Sequence, residues 1–447
     1  MNRIMRHRYR TQARGKERGQ TIALVAVSLV SLLAMAALAI DVVTLYVARG
    51  QAERAADAAA VAGAKVLADA GVTTDPTNAS VPSIWTRACT LAIQQATAVA
   101  EQNLVSGQAA STVAVTFPNA PSPDCSASCS LLGGCTFGVN PRVSVSLQVT
   151  GLPTFFSKIW SRAANSVGAT ALAEAFNPSG LAIPVAPRCV KPLLLPNCDP
   201  GPGPLPAPCS PSTTYFDPGT GQITNPGSGG IIGRQLILAA CSDTGGCSQS
   251  TPKSNAYFPV SISSTPSEVC PGNCSVALPS PNGFENDLAC CNWAAPLVCG
   301  LSTVTVDTTD PDPGGAGGPA AVGGQCLIHK IAPSDQDSLD TSLNPYAMKA
   351  GANNPLIGKT TGASLAAGDV ITTSDSVVTL PIYDNTVGLP AGSATIIGFL
   401  QGFITDVDAT GKIDVTVLNV AGCGSGTSGN APISGAGPTL PVRLIHN

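Results

Sequence analysis

The sequence is poor in histidine, aromatic residues and charged residues, and it lacks two common catalytic motifs. Its 447 residues include three histidines, 4% aromatic residues and 11% charged residues. The three histidines are His7, His329 and His446. The sequence contains no Gly-x-Ser-x-Gly motif, which would supply the nucleophile of a Ser/His/Asp arrangement. The Gly-Lys-Thr at residues 358–360 lacks the upstream glycine of a phosphate-binding loop. We therefore expect neither an enzyme nor a cofactor-binding protein.

Positive charge is scarce outside the first 18 residues. Residues 1–18 hold seven Lys and Arg and a single Glu, whereas the rest of the chain holds 16 Lys and Arg against 26 Asp and Glu. An acidic body does not attract a phosphate backbone, so no nucleic-acid binding is expected. The basic segment is typical of a tail that lies against anionic lipid head groups.

An uncharged and proline-free run, residues 20–40, follows this tail. As a helix, residues 21–40 would span roughly 30 Å, which is the thickness of the bilayer hydrocarbon. A cleaved signal sequence is the alternative, but its apolar core is about 7–15 residues long and ends at a small-residue cleavage site. The longer run predicts a single transmembrane helix, and the basic tail predicts a cytoplasmic N-terminus with the remaining chain outside.

The helix is predicted to continue through residue 70, because alanine dominates residues 47–68 and no proline occurs before Pro76. Mostly small side chains recur every three or four residues, and this spacing lets another helix approach closely. The helix-packing stripe consists of Leu45, Ala48, Ala52, Ala55, Ala59, Ala62 and Val66. It would pack either on the chain's own outer part or against another helix, including that of a second copy. On the opposite side we expect ion pairs of Arg49 with Glu53 and of Arg54 with Asp57.

The order of these features resembles the start of the TadE/TadG-like proteins of the Flp (tight-adherence) pilus assembly system. Such proteins begin with an Arg-Gly pair, a membrane helix, an Asp at its outer end and a Gln- and Ala-rich run. The matching family-motif residues are Arg18, Gly19, Asp41, Tyr46, Gln51, Ala55, Ala56, Asp57, Ala58, Ala59 and Ala60. Processed members carry an acidic residue just after the cleavage glycine. Gly19 is followed by Gln20 instead, so permanent anchoring is expected.

The resemblance implies a membrane-anchored, non-enzymatic component of pilus assembly in the bacterial cytoplasmic membrane. Its partners would be the lipid bilayer and proteins of the pilus machinery or fibre. Some larger TadG-like proteins carry a von Willebrand-type domain with an Asp-x-Ser-x-Ser metal motif, and that motif is absent here. The alternative is a membrane-anchored surface adhesin or binding module that is unrelated to pilus assembly.

Patterns after the long helix predict a small α+β unit. A second helix is expected at residues 84–105, and strands are expected at residues 111–117, 142–150 and 166–175. Pro153 is suited to the first turn of a short helix between the last two strands. This succession also resembles the second part of TadG-like proteins.

The remaining chain is rich in turn residues. Residues 178–230 contain 13 Pro and 8 Gly, which predicts a linker or an irregular loop without a central strand. Short apolar runs after residue 230 predict a β-rich domain. The expected strands are residues 231–240, 256–262, 302–306, 369–373, 376–383, 394–407, 412–420 and 440–446. The Gly-rich residues 310–324 are expected to form a mobile loop.

The predicted fold class is therefore α+β, with an N-terminal transmembrane helix that extends into a long Ala-rich helix. We divide the chain into five parts by composition. They are a basic cytoplasmic tail at 1–18, the membrane helix and its extension at 19–70, a small α+β unit at 71–177, a Pro/Gly-rich linker at 178–230, and a Cys-containing β-rich domain at 231–447.

All 16 cysteines lie on the side predicted to be outside the cytoplasm, where an even number indicates a disulfide framework. The spacing does not reveal the connectivity. Zinc is the alternative for three close pairs, which are Cys125 with Cys129, Cys270 with Cys274, and Cys326 with His329. Structural zinc sites need close pairs of ligands from two loops, and an oxidising compartment favours bridges, so no metal site is predicted.

Two acidic features have a structural and a functional interpretation. Asp406, Asp408, Thr410 and Gly411 have the spacing of the start of a calcium loop, but position 12 is Val417 instead of Glu. The tip of a β-hairpin explains the same residues. Asp41 at the outer membrane boundary is either hydrated by head groups or in contact with a partner helix.

Overall fold

The computed structural model describes residues 14–73, 81–120, 125, 140–152, 165–179, 184–200, 208–210, 213–224, 231–262, 268–271, 274, 283–292, 296–307, 313–342, 346–358, 365–389, 392–423, 432–435 and 442–445. The short helix expected at Pro153, together with Cys129, Cys135 and His446, lies outside these residues. The chain forms two compact units. The first is Met1–Ala59, Thr97–Ala114 and Val145–Ala171, and the second is Ala60–Ala96, Val115–Ser144 and Leu172–Asn447.

Two long helices come first, as the sequence predicts. Helix α1 is Arg14–Asp69, with 56 residues, and helix α2 is Val81–Gln102. Gly71 follows α1 with a φ of 74°, a conformation that glycine adopts without strain and that commonly ends a helix. Two short helices, α3 at Phe284–Ala289 and α4 at Pro319–Leu327, lie far along the chain.

Most of the described strands are short, and four of them have ten or more residues. In chain order they are β1 Thr112–Thr116, β2 Arg142–Leu152, β3 Asn165–Ala175, β4 Val185–Pro187, β5 Leu193–Pro196, β6 Gln235–Ala240, β7 Ala256–Ser261, β8 Glu268–Val269, β9 Cys291–Asn292, β10 Thr303–Val306, β11 Ser338–Asp340, β12 Ala347–Lys349, β13 Val370–Ile371, β14 Val377–Tyr383, β15 Ser393–Val407, β16 Ile413–Gly422, β17 Ile433–Gly435 and β18 Val442–Leu444. One sheet has the order β1-β2-β3-β18. Smaller sheets are β11-β12-β13, β17-β4 and β8-β9.

The largest sheet has seven strands and closes on itself. Its order is β10-β15-β14-β5-β7-β6-β16, and β16 pairs in turn with β15. The pairing of β16 with β15 closes a ring of six strands, which are β15, β14, β5, β7, β6 and β16. Strand β10 lies outside this ring and pairs with β15 and β7. Alternate residues along the strands belong to two apolar clusters. Leu193 and Leu195 join one cluster, whereas Leu194 between them joins the other.

The linker predicted at residues 178–230 contains a central strand, so that part of the prediction is wrong. Leu193–Pro196 pairs in parallel with β14 and antiparallel with β7, and all four residues are buried. The strand has only four residues, so it fits between two prolines: Pro192 precedes it and Pro196 is its last residue. Proline density excluded a long strand, and it did not exclude a short one.

The mobile loop predicted at residues 310–324 is also wrong for its second half. Pro319 begins α4, where a missing N–H costs nothing, and Ala320 and Ala321 are buried. A Cβ added at Gly323 would lie 2.5 Å from the carbonyl oxygen of Glu285 in α3. Glycine is therefore required there for close helix packing, and it is not a sign of mobility.

Among the described residues, seven cysteine pairs lie at disulfide distance. They are Cys89 with Cys125, Cys189 with Cys291, Cys198 with Cys209, Cys241 with Cys247, Cys270 with Cys290, Cys274 with Cys326, and Cys299 with Cys423. Among the described residues no cysteine is free. These pairs, the long apolar helix and the mixed helices and sheets confirm the predicted α+β class with a disulfide-stapled β-rich region.

Candidate functional site

The apolar part of α1 exposes its side chains all round. Ile22, Leu29, Leu33 and Met35 are more than half exposed, although they are large and apolar. Exposure of so much apolar surface to water is unfavourable, whereas in the hydrocarbon of a bilayer the same surface is stable. By length and composition this helix can cross a membrane.

The second half of α1 has a buried face of small residues. Of the predicted stripe, Ala48, Ala52, Ala55 and Ala59 are buried, whereas Leu45, Ala62 and Val66 are partly exposed. Toward the helix end the buried positions move round to Ala56, Ala60, Gly63, Ala64, Leu67 and Ala68. This shift of the buried face follows the 3.6-residue period of a straight helix, whereas the predicted stripe has a seven-residue period.

The other family-motif residues lie on the same helix. The Gln51 Oε1 accepts a hydrogen bond of 2.7 Å from the backbone N–H of Ser106. Ala56 is buried, and Asp57 and Ala58 are partly exposed. Arg18 and Gly19 belong to the first turns of α1. The predicted ion pair of Arg49 and Glu53 is present at 3.1 Å on an exposed face.

Asp41 is buried, although it follows the exposed apolar segment directly. Only 2% of its surface is accessible, and Ala37 one turn earlier is also buried. Its backbone carbonyl accepts a 2.8 Å hydrogen bond from the Thr44 hydroxyl. Burial of a charged carboxylate is costly unless hydrogen bonds or opposite charges compensate for the lost hydration. The burial of Asp41 therefore places it in a protein environment and not in open solvent.

The acidic loop at residues 406–414 is the tip of a β-hairpin. Strands β15 and β16 pair from Val407 opposite Ile413, and Gly411 has a φ of 81° in the turn. The Asp408 Oδ1 accepts hydrogen bonds of 2.8 Å from both the backbone N–H and the hydroxyl of Thr410. Asp406 pairs with Lys330 at 2.5 Å. Among the residues described, no cluster of His, Cys, Asp or Glu could hold a metal ion.

His329 has a carboxylate partner, but no nucleophilic side chain is hydrogen-bonded to it among the described residues. Its Nε2 lies 2.9 Å from Asp375 Oδ2, and its ring is 4% exposed. The neighbouring Ser374 hydroxyl donates instead to the carboxylate of Asp337, at 2.5 Å. Asp337 also accepts from the Asn354 side chain and the Gly351 N–H. This arrangement positions a loop, and it does not form a Ser/His/Asp triad.

The second unit contains a cavity of about 400 Å³, which the sequence did not predict. Its apolar wall includes Leu327, Leu339, Met348 and Leu418. Its polar wall includes Lys191, Thr379, Gln401, Ser374 and Asp375, with Lys65 and Asp69 of α1 also lining it. The one available signal was Gln401, a polar residue inside the apolar run 394–407.

Residues 19–66 match the family model described as putative Flp pilus-assembly TadE/G-like. This segment lies within α1 and includes both its apolar part, which could cross a membrane by length and composition, and its buried small-residue face. The searches of curated proteins and of solved structures found no significant match. The match and the helix together support a membrane-anchored, pilus-related role.

Proposed function

We propose that this chain is a membrane-anchored, non-enzymatic component of Flp/Tad-type pilus assembly in the bacterial cytoplasmic membrane. Its N-terminal helix tethers the rest of the chain to the lipid, and the part outside the cytoplasm contacts the pilus machinery or fibre. The observation that carries the proposal is the coincidence of the family match at residues 19–66 with an apolar helix that continues into a buried Ala-rich face.

The orientation follows from charge. Seven Lys and Arg precede the apolar segment, and positively charged flanks are retained on the cytoplasmic side. The bulk of the chain then lies in an oxidising compartment. The seven cysteine pairs at bonding distance in the described part of the chain fit that compartment, because cytosolic thiols are kept reduced.

The contact surface for partners is the exposed side of α1 at its outer end. Val43, Tyr46 and Val47 are at least half exposed there, next to the buried Asp41. The small-residue face is already covered, which favours its packing on the chain's own residues. A partner helix in the membrane would therefore meet the large exposed side chains before it met the alanines.

Topology is tested with full-length fusions. Alkaline phosphatase attached after residue 447 folds only outside the cytoplasm, so we expect an active fusion, and we expect an inactive one when it precedes residue 1. A fluorescent fusion after residue 447 should stay dark if it requires the cytoplasm to mature. The reverse pattern would overturn the proposed orientation.

Partner contact is tested by photocrosslinking in intact cells. A benzoyl-phenylalanine at position 46 should give adducts with pilus-assembly proteins, because Tyr46 is 79% exposed. The same probe at the exposed position 301 serves as the control. Adducts at position 46 that contain no pilus-assembly protein would contradict the proposal.

A second candidate, a membrane-anchored binding module unrelated to pili, is favoured by the cavity of the second unit. The two are separated by gene context. Neighbouring genes for a secretion ATPase, a prepilin peptidase and a small pilin would support the assembly role, whereas an isolated gene would support the binding module.

A further inference from the structure

Four buried polar residues lie in a row across the closed sheet. The backbone N–H of Lys191 donates to the Thr379 carbonyl at 2.9 Å. Thr379 is opposite Gln401 on β15, and Gln401 is opposite Asn419 on β16. We call these four residues the polar row. Each is at most 3% exposed, so the row carries a desolvation cost that an apolar sheet would avoid.

The orientation of the Gln401 amide is fixed by its neighbour. Asn419 Nδ2 lies 2.8 Å from the Ala68 carbonyl oxygen, which can only accept, so this atom is a nitrogen. The same Nδ2 lies 2.7 Å from Gln401 Oε1 and donates to it. The other amide atom of Gln401 must then be the nitrogen.

Gln401 lines the cavity, and its Nε2 is a buried donor. It has no hydrogen-bond partner among the described residues, although Gln401 is 99% buried and lines the cavity. A buried donor without an acceptor costs about 1–3 kcal/mol. Native proteins keep few such groups, and for a residue that lines a cavity a bound acceptor is one way to satisfy the donor.

The charge and shape of the cavity define the acceptor. Lys191 is buried in the same wall, and its Nζ donates to the Cys290 carbonyl at 2.6 Å. Of the two acidic residues that line the cavity, Asp69 pairs with Lys65 at 2.7 Å and Asp375 is 54% exposed, whereas Lys191 is 2% exposed. The apolar side chains of Leu327, Met348 and Leu418 complete the wall.

We propose that this cavity binds a carboxylate attached to a small apolar group. The carboxylate accepts from Gln401 Nε2 and faces the charge of Lys191, while the apolar group packs on Leu327, Met348 and Leu418. An amine would place a cation beside Lys191, and a hydrocarbon would leave Nε2 without an acceptor. A volume of about 400 Å³ falls within the range of small-molecule sites.

A ligand in the cavity would also affect helix α1. Gln401 accepts from Asn419, which donates to the Ala68 carbonyl in the last turn of α1, and Lys65 and Asp69 of the same helix line the cavity. A ligand that holds Gln401 in place therefore supports the end of the anchoring helix. This site does not depend on the proposed role in pilus assembly.

The test is calorimetric titration of the full-length protein in lipid nanodiscs, with empty nanodiscs as the blank. Hexanoate supplies the free acid, and the tripeptide Gly-Ala-Leu with a free carboxyl end supplies a chain terminus. Hexanamide and the amidated tripeptide are the matched uncharged probes. We expect at least one acid to bind, and to bind about tenfold or more tightly than its amide. Whichever acid binds more tightly identifies the source of the carboxylate.

Variants assign the site. Gln401→Glu keeps an acceptor for Asn419 and replaces the donor with a carboxylate, so we expect a loss of acid affinity of at least about tenfold. Lys191→Met should weaken the acids and leave the amides almost unchanged. Gln325→Glu is the matched control, because the Gln325 amide donates to Val407 and Asp408 and does not line the cavity.

Three results would overturn the assignment. They are equal affinity for acid and amide, unchanged acid affinity in Gln401→Glu, and the absence of binding by either acid up to about 10 mM. Circular dichroism of each variant verifies folding. If Lys191→Met does not fold, the comparison of Gln401→Glu with Gln325→Glu decides alone.

Discussion

The Asn419 side chain on β16 donates a 2.8 Å hydrogen bond to the backbone carbonyl of Ala68 in the last turn of α1. The last carbonyls of a helix have no partner inside the helix, so a side chain that reaches one of them fixes where the helix ends. Asn419 is fully buried, and 351 residues separate the two partners in sequence. A single amide therefore links the end of the anchoring helix to the closed sheet.

Asn419→Leu is expected to lower the free energy of unfolding by about 1–3 kcal/mol, because it leaves Gln401 Oε1 buried without this donor and leaves the Ala68 carbonyl with the 3.2 Å hydrogen bond from the Gly71 N–H alone. Urea titration of the full-length protein in detergent measures the change. The control is Asn103→Leu, which removes an exposed bond to the Val99 carbonyl and should change stability by less than about 0.5 kcal/mol. Equal losses in the two variants would contradict the role of Asn419.

Replacing buried alanines of α1 should cost more than replacing the partly exposed one that the heptad stripe includes. Ala60 is fully buried, so Ala60→Leu overpacks its site and should destabilise the protein by about 1–3 kcal/mol. Ala62→Leu should cost less, since Ala62 is partly exposed. Thermal unfolding of both variants tests this order. The reverse order would favour the heptad stripe as the packed face.

The stabilisation by the bridges should increase with the length of the loop that they close. Cys299 and Cys423 are 124 residues apart, whereas Cys241 and Cys247 are 6 apart. Loop entropy predicts a loss of about 5 kcal/mol when the first pair is changed to alanine and of about 2 kcal/mol for the second. Urea titration of the oxidised variants measures both. Non-reducing gels check that the other bridges have formed, and equal losses would argue against this account.

Asp414 should make the protein less stable at neutral pH. Burial raises the pKa of its carboxyl above the usual 3.8, and the carboxylates of Asp406 and Asp408 raise it further. The folded protein thus holds this proton more tightly than the unfolded chain, so the stabilisation is complete below about pH 3.8 and is lost as the pH rises through the higher folded pKa. Asp414→Asn should therefore raise the melting temperature at pH 7, and the difference should shrink toward pH 4.

Asp408→Ala provides the control of opposite sign. Burial raises the pKa of Asp408, but hydrogen bonds from Thr410 and Lys412 outweigh it and hold that pKa below the usual value. Loss of this carboxylate should lower the melting temperature at pH 7. If both variants shift the melting temperature in the same direction, the charge argument for the hairpin is wrong.

Local patterns in the sequence were sufficient for the elements that repeat regularly. The uncharged run gave α1, and the alternation of residues 142–150 gave β2, which buries every second residue over most of its length. The hairpin of β15 and β16 followed from two apolar runs around a polar turn. Each of these elements takes its form from neighbours in sequence.

Elements that depend on distant partners were missed. Leu193–Pro196 becomes a strand because β14 and β7 supply its hydrogen bonds, and nothing within four residues encodes that pairing. The cavity was missed for the same reason, since Lys191, Thr379 and Gln401 meet only after the sheet has closed. The glycines around Pro319 were predicted to form a mobile loop, because the sequence does not show that Gly323 packs closely against Glu285 of α3.

The closed sheet limits how another protein can recognise this part of the chain. Among the described strands, β14, β15, β16, β6, β7 and β5 are each paired on both sides, so an extended segment from a fibre subunit cannot be added as a further strand without displacing one. A partner must read side chains and loop shapes instead of unpaired main-chain groups. Surface substitutions will therefore govern partner choice here, and backbone complementarity will contribute little.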